Sequence, residues 1–167
     1  WGVTPYEFGS GSSSPFYTLF LAGAFSLTGT VVLLPLAVNI LATVALLAIL
    51  TAVFRDNGYK RWSSAGLALG IVLLWPSTPL IMGGMEHSLH VLGTIGFVWM
   101  SARLLSQKAR GTLVQRAGLV ALATVLPLIR YESLALILTV TLLLVARKRR
   151  LTGIACGIGA IASVTAF

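Results

Sequence analysis

Acidic residues are scarce: four Asp and Glu stand against twelve Lys and Arg in 167 residues, a formal net charge of +8. Charge of either sign is thin as well, at 10% of the chain against 57% hydrophobic residues. A soluble domain carries roughly 25% charged residues to wet its surface, so a water-soluble globule is not the expected form. Cys156 is the one cysteine and lies in an apolar run, which excludes a disulfide framework within this chain. Alternating segments of about ten residues, the signature of a membrane β-barrel, are missing too.

Long uncharged runs are present instead. Thr30 to Phe54 carries no charge, and neither does Trp62 to Met85. A hydrocarbon core about 30 Å thick takes roughly 20 helical residues to cross, and in lipid the backbone must satisfy its own hydrogen bonds. The expected fold is all-α, a polytopic transmembrane helical bundle. Residues 1–14 form a Gly/Ser/Pro-rich loop outside the membrane. Residues 15–28 form a short helix with Ser14 as N-cap and Pro15 at its first position. At about 13 residues it reaches only about 20 Å, which favours a juxtamembrane helix at the interface over a span. The region 29–167 supplies the spanning helices, at about 31–54, 62–82, 87–104, 113–129, 132–147 and 151–167, the last truncated. Pro35, Pro76, Pro79 and Pro127 fall within or near helix ends, where kinks are tolerated if neighbours satisfy the freed carbonyls. The chain is expected to be one piece of a longer protein.

The basic residues sort by position. Eleven of the twelve fall in three groups, Arg55, Lys60 and Arg61, then Arg103, Lys108, Arg110 and Arg116, then Arg147, Lys148, Arg149 and Arg150. Each group separates two apolar runs, the loop asymmetry that places basic loops in the cytoplasm. It argues against nucleic acid as a partner and for the lipid bilayer of the cell membrane, crossed several times. Residues 1–14, 83–87 and 130–132 are then extracytoplasmic. Of the acids only Asp56 joins the basic side.

The outer set holds the chemistry-bearing side chains. Glu86 sits where a carboxylate complements the positive end of a helix, and equally where it could face a polar cleft. His87 and His90, three apart, share roughly one helix face with Glu86 close by. A divalent metal on such a trio is conceivable, but no full ligand set is specified, and no metal or other cofactor is assigned. Arg130 is the lone base on this side. With Glu132 it makes a local ion pair or, alternatively, an anion site, because a guanidinium presents a rigid fork of donors to phosphate oxygens. Ser13 and Ser14 belong either to a linker or to the same site.

Gly84-Met85-Glu86 opening a helix, followed some forty residues later by Arg130-Tyr131-Glu132, resembles the "GMEtpL" and "RPEG" signatures of GT-C type glycosyltransferases. Ser13-Ser14-Pro15-Phe16-Tyr17-Thr18-Leu19 is similar to the "tSPLwtlLLA" segment that precedes them in that superfamily. Order and spacing agree across nearly the whole chain, with mannosyl- and arabinofuranosyltransferase-like membrane proteins closest in pattern. Tyr131 stands where the family has Pro, Ser133 where it has Gly, and His87 where it usually has Thr or a similar residue. The family's catalytic acid lies in an outer loop ahead of the serine–proline segment, so the general base is expected upstream of Trp1, and Glu7 is a poor substitute.

The resemblance implies a GT-C-like fold and transfer of a sugar from a polyprenyl-phosphate donor to a glycan, lipid or protein acceptor, with inversion at the anomeric carbon. A fragment without the base is expected to be inactive alone. Arg130 would bind the donor phosphate, Glu86 and Glu132 would orient the sugar or Arg130, and His87 would touch acceptor or phosphate. Ser13 and Ser14 join them as substrate-binding candidates. The alternative from another class is a transporter or lipid flippase, which should show broken helices or inverted repeats, and neither is evident. A non-enzymatic membrane scaffold is the third reading.

Overall fold

Ser14 opens the first helix. Its Oγ accepts from the Tyr17 amide at 3.3 Å and Pro15 takes the first helical position, so α1 runs Pro15–Thr28 and stops at Gly29, where φ turns to +75°. The computed structural model describes residues 14–29, 31, 33–74, 81, 86–106 and 112–166. Among them lie seven helices and no strand, so the chain is all-α, as its composition and runs suggest.

Helix α2, Leu34–Asp56, carries Pro35 in its first turn, where no intrahelical N–H is lost. It ends at Asn57 and Gly58, the glycine at φ +88°, and the amides of 57–59 fold back onto carbonyls of the last turn. That reversal leads into α3, Arg61–Leu74. Helix α4 is His87–Ser106. Helix α5, Leu113–Ile129, begins with a reciprocal cap: the Gln115 amide donates to Thr112 Oγ1 at 3.2 Å and the Thr112 amide to Gln115 Oε1 at 3.0 Å. Helices α6, Ser133–Ala146, and α7, Arg150–Thr165, complete the order. The expected helix 62–82 is described only to Leu74, and the expected loop 1–14 only at Ser14; the remainder lies outside the described residues.

Two apolar clusters meet on α4. Leu46 and Leu50 of α2 pack on Ala68 and Val72 of α3, joined by Val91, Leu92 and Ile95 of α4. The other face of α4, with Phe97 and Leu104, packs on Leu119 and Leu126 of α5, Ile137 and Leu144 of α6, and Cys156 and Ala160 of α7. Helix α1 rests against α5.

Small residues set the close approaches. A Cβ on Gly93 would meet Leu126 at 2.8 Å, and one on Gly118 would meet Met100 at 2.9 Å. The pairs 93 with 126 and 100 with 118 show α4 and α5 running antiparallel in tight register. Gly159 in α7 fits against Thr124 so closely that a Cβ there would run into its hydroxyl.

The outward faces are apolar. Leu41 and Val44 of α2, Leu69 and Leu73 of α3, Leu138 and Leu142 of α6, and Ile154, Ile158 and Ile161 of α7 are all exposed. Two helices, α2 at 23 residues and α4 at 20, are long and apolar enough to cross a membrane by length and composition. The other described helices are apolar but shorter, between 14 and 17 residues.

Candidate functional site

The antiparallel run of α4 and α5 brings the start of one to the end of the other. His87 occupies the first position of α4, and Arg130 is the residue that ends α5. Arg130 Nη1 lies 2.9 Å from His87 Nε2. A guanidinium only donates, so His87 Nε2 is the acceptor and the ring hydrogen sits on Nδ1. That nitrogen is buried and has no hydrogen-bond partner among the described residues.

Glu132 takes the rest of the fork. Arg130 Nη2 donates to Glu132 Oε1 at 2.8 Å and Nε to Oε2 at 3.2 Å, a two-point contact across one intervening residue. The turn that allows it is short and well bonded: Ser133 Oγ donates to the Arg130 carbonyl at 2.6 Å, and the Leu134 amide to the Tyr131 carbonyl at 3.0 Å. Tyr131 itself points to the exterior. Three of the five guanidinium N–H groups are thus used among the described residues, leaving two there, one on Nη1 and one on Nη2, on a side chain 27% exposed.

Charge follows geometry. The hydrogen bonds from Arg130 hold the Glu132 carboxyl down to about 2, helped by its own backbone amide and by the Arg130 and His90 charges. The same pair holds the Arg130 guanidinium above its usual range, with Glu86 adding to the effect. Glu86 is buried just ahead of α4, and its carbonyl accepts from the His90 amide at 3.0 Å. Its side-chain charge reaches Tyr17 of α1, whose phenol is pushed up first by burial and then by Glu86. His90 sits one turn into α4 with Nε2 3.5 Å from Thr94 Oγ1.

Of the candidate residues, then, Glu86, His87, Arg130 and Glu132 share one end of the bundle. Ser14 caps α1 through its Oγ, while Ser13, with Gly84 and Met85, lies outside the described residues. Among the described residues no three of His, Cys, Asp and Glu come together as metal ligands. Two polar side chains were not foreseen, the first of them beside the site. Tyr17 looks like one more aromatic of an apolar helix, yet it lies within reach of the Glu86 charge. Asn39, fully buried in α2, donates from Nδ2 to the Ile81 carbonyl at 3.4 Å. Its signal was a lone amide inside an uncharged run, where polar groups face partners.

No protein-family model, curated protein or solved structure matches the chain. The site is therefore judged on its chemistry. It combines an arginine bonded to an imidazole and a carboxylate with a second carboxylate, Glu86, whose charge acts on both Arg130 and Tyr17. Such a group is suited to gripping an anion and hydroxyls beside it.

Proposed function

We propose that the chain is the multi-pass membrane region of a GT-C-like glycosyltransferase, and that its Arg130 cluster binds the phosphate of a polyprenyl-phosphate sugar. The membrane part of the reading rests on exposure. Only 22% of the most apolar stretch of α2 is buried, whereas a core helix of a soluble protein would hide most of it. Apart from α1, kept at the interface, the shorter helices reach about 21–26 Å, which local thinning of the bilayer accommodates. Hydroxyls on these helices turn inward to their own backbone. Thr43 donates to the Asn39 carbonyl at 2.8 Å, Thr51 to Leu47 at 2.7 Å and Thr139 to Ala135 at 2.9 Å. That is how a hydroxyl is tolerated where no water can bond it. Under this reading the basic loops face the cytoplasm and the Arg130 cluster the opposite side.

One observation carries the catalytic part: the 2.9 Å contact between His87 and Arg130. It unites the two short motifs that resemble the glycosyltransferase signatures. In the reaction, an acceptor hydroxyl attacks the anomeric carbon, the bond to the lipid phosphate breaks, and the proton passes to a carboxylate base, which the resemblance places ahead of Trp1. Arg130 would meet the charge that grows on the departing phosphate, through the two N–H groups not engaged by Glu132 and His87. Glu132 and His87 hold the fork in place, so the donors need no reorganisation when the charge develops. Glu86 and Tyr17 would line the sugar side.

The test is transfer of labelled sugar from a polyprenyl phosphate by the full-length protein in vesicles. Transfer that disappears with Arg130→Ala supports the reading. Normal transfer by that variant removes Arg130 from the mechanism, and uptake of substrate into vesicles without any sugar transfer replaces the enzyme with a transporter.

A further inference from the structure

At the far end of α5 the side chains converge differently. Arg116 lies 14 residues from Arg130 along this helix, about 21 Å away. There the α6–α7 turn brings Lys148, Arg149 and Arg150 together with Arg116 around a half-open cavity of about 210 Å³, also lined by Leu151 and Thr152. Lys148 holds a left-handed backbone, φ +60°, unusual for a residue with a side chain. The turn is nevertheless fixed by the Arg149 amide donating to the Leu144 carbonyl at 2.8 Å. Arg116 Nε is buried without a hydrogen-bond partner among the described residues. The first-turn amides of α7 open at the same place and add partial positive charge. Among the described residues the acids are positioned elsewhere: Asp56 accepts from Trp99 and pairs with Arg103, while Glu86 and Glu132 stand at the other end.

The cavity is continuous with something it does not need for a free ion. Arg116, Leu151 and Thr152 also line an apolar groove of about 460 Å³ between α5 and α7. It continues along Ala117, Val120, Ala121 and Ala155, whose small side chains leave the space. A positive pocket joined to a shallow apolar groove between two helices has the shape and polarity of one ligand class.

We infer that the Arg116–Lys148–Arg149–Arg150 cavity binds the headgroup phosphate of an anionic phospholipid, with an acyl chain lying in the α5–α7 groove. The charge complementarity decides the occupant. A zwitterionic headgroup brings its own cation into a pocket lined by four bases, whereas an anionic one brings only negative charge. The groove gives an acyl chain a place beside the headgroup site, and packing against its side chains fixes the orientation of the lipid. This inference requires that the chain sits in a membrane, and it is independent of sugar transfer at the other end.

The experiment is lipid retention by the full chain purified in detergent, read by native mass spectrometry against phosphatidylglycerol, phosphatidylcholine and inorganic phosphate. Phosphatidylglycerol is expected to be held at least tenfold more tightly than phosphatidylcholine. Arg116→Gln and, separately, the exposed Lys148→Gln should each remove most of that preference. Lys60→Gln, at a different basic loop, should leave it intact. Ala121→Phe, which fills the groove, should weaken phosphatidylglycerol while leaving any binding of inorganic phosphate as it was. Equal retention of the two lipids overturns the inference, as does loss of preference in Lys60→Gln to the same extent, which would mean general attraction to basic loops. Competition by millimolar inorganic phosphate with no effect of Ala121→Phe also overturns it, leaving a free-anion site. Because every readout is lipid retention, failure here says nothing against sugar transfer, and failure of transfer says nothing against this site.

Discussion

His87 and Arg130 are 43 residues apart in the chain and 2.9 Å apart in space, imidazole Nε2 to guanidinium Nη1. The contact defines both groups at once. It fixes the hydrogen of His87 on Nδ1, and it joins a third donor of Arg130 to the two that Glu132 already holds.

Arg130 should not be replaceable by lysine. An ammonium cannot reach two oxygens of Glu132 and one imidazole nitrogen in fixed directions. If the proposed sugar transfer holds, Arg130→Ala lowers it about 100-fold or more, the scale of losing one donor to a developing anion, and Arg130→Lys recovers less than about a tenth of it. Steady-state rates with the labelled donor check both, and full activity in the lysine variant would mean that charge alone suffices.

The tautomer is directly observable. Nitrogen-15 spectra of histidine-labelled protein at neutral pH are expected to show His87 with its hydrogen on Nδ1. Arg130→Gln should abolish that bias, since the donor that enforces it is gone. A hydrogen on Nε2 in the unaltered protein would contradict the contact.

Glu132 gives a pH dependence with a definite sign. Its carboxyl is held to about 2 against an ordinary 4.5, so its contribution to stability is complete above 4.5 and fades as pH falls toward about 2. The difference in thermal midpoint between the unaltered protein and Glu132→Gln should therefore be flat from pH 5 to 8 and narrow below about pH 4.5. Because the side chain is exposed, the difference is expected to be small and to shrink with added salt. A gap that widens on acidification would reverse the assignment.

Glycines on α7 and α3 should respond in opposite ways. Gly159→Ala forces a methyl into the Thr124 hydroxyl and is expected to destabilise by about 1–3 kcal/mol, the usual penalty of overpacking. Gly66→Ala meets nothing within 4 Å and should be neutral or stabilising by about 0.4–1 kcal/mol through helix propensity and a less flexible unfolded chain. Thermal midpoints in detergent separate the two, and equal behaviour would show that α7 does not pack on α5 as described.

The basic end holds a weaker pair. Arg103 Nε approaches Asp56 Oδ2 at 3.6 Å with both side chains nearly half exposed, and the Trp99 indole donates to the same oxygen at 3.0 Å. Asp56→Asn is expected to reduce stability by at most about 1 kcal/mol while shifting Trp99 fluorescence, because the indole loses a charged acceptor. A larger loss would assign Asp56 a role that its exposure does not suggest.

Much of the helical layout follows from local chemistry. Ser14-Pro15 starts α1, Thr112 with Gln115 starts α5, and Asn57-Gly58 ends α2, each by satisfying backbone groups that a helix end leaves open. Runs without charge announced apolar helices, and the spacing of basic groups announced that Arg130 would stand apart from the other eleven bases. Periodicity could not say which helix each face would meet. Hydrophobic attraction has no direction, and in helices apolar on nearly every side, as α6 is, no stripe marks the partner. That choice was made by shape. Gly93 against Leu126 and Gly118 against Met100 lock α4 to α5, and this register, invisible residue by residue, carries His87 to Arg130 at one end. At the other end, the packing of α7 on α5 and α6 gathers Arg116 with Lys148, Arg149 and Arg150 around one cavity. The sequence alone determined an all-helical chain with one arginine set apart from the rest; the tertiary structure alone decided what that arginine touches, because only side-chain interlocking between helices selects one pairing among many equally apolar ones.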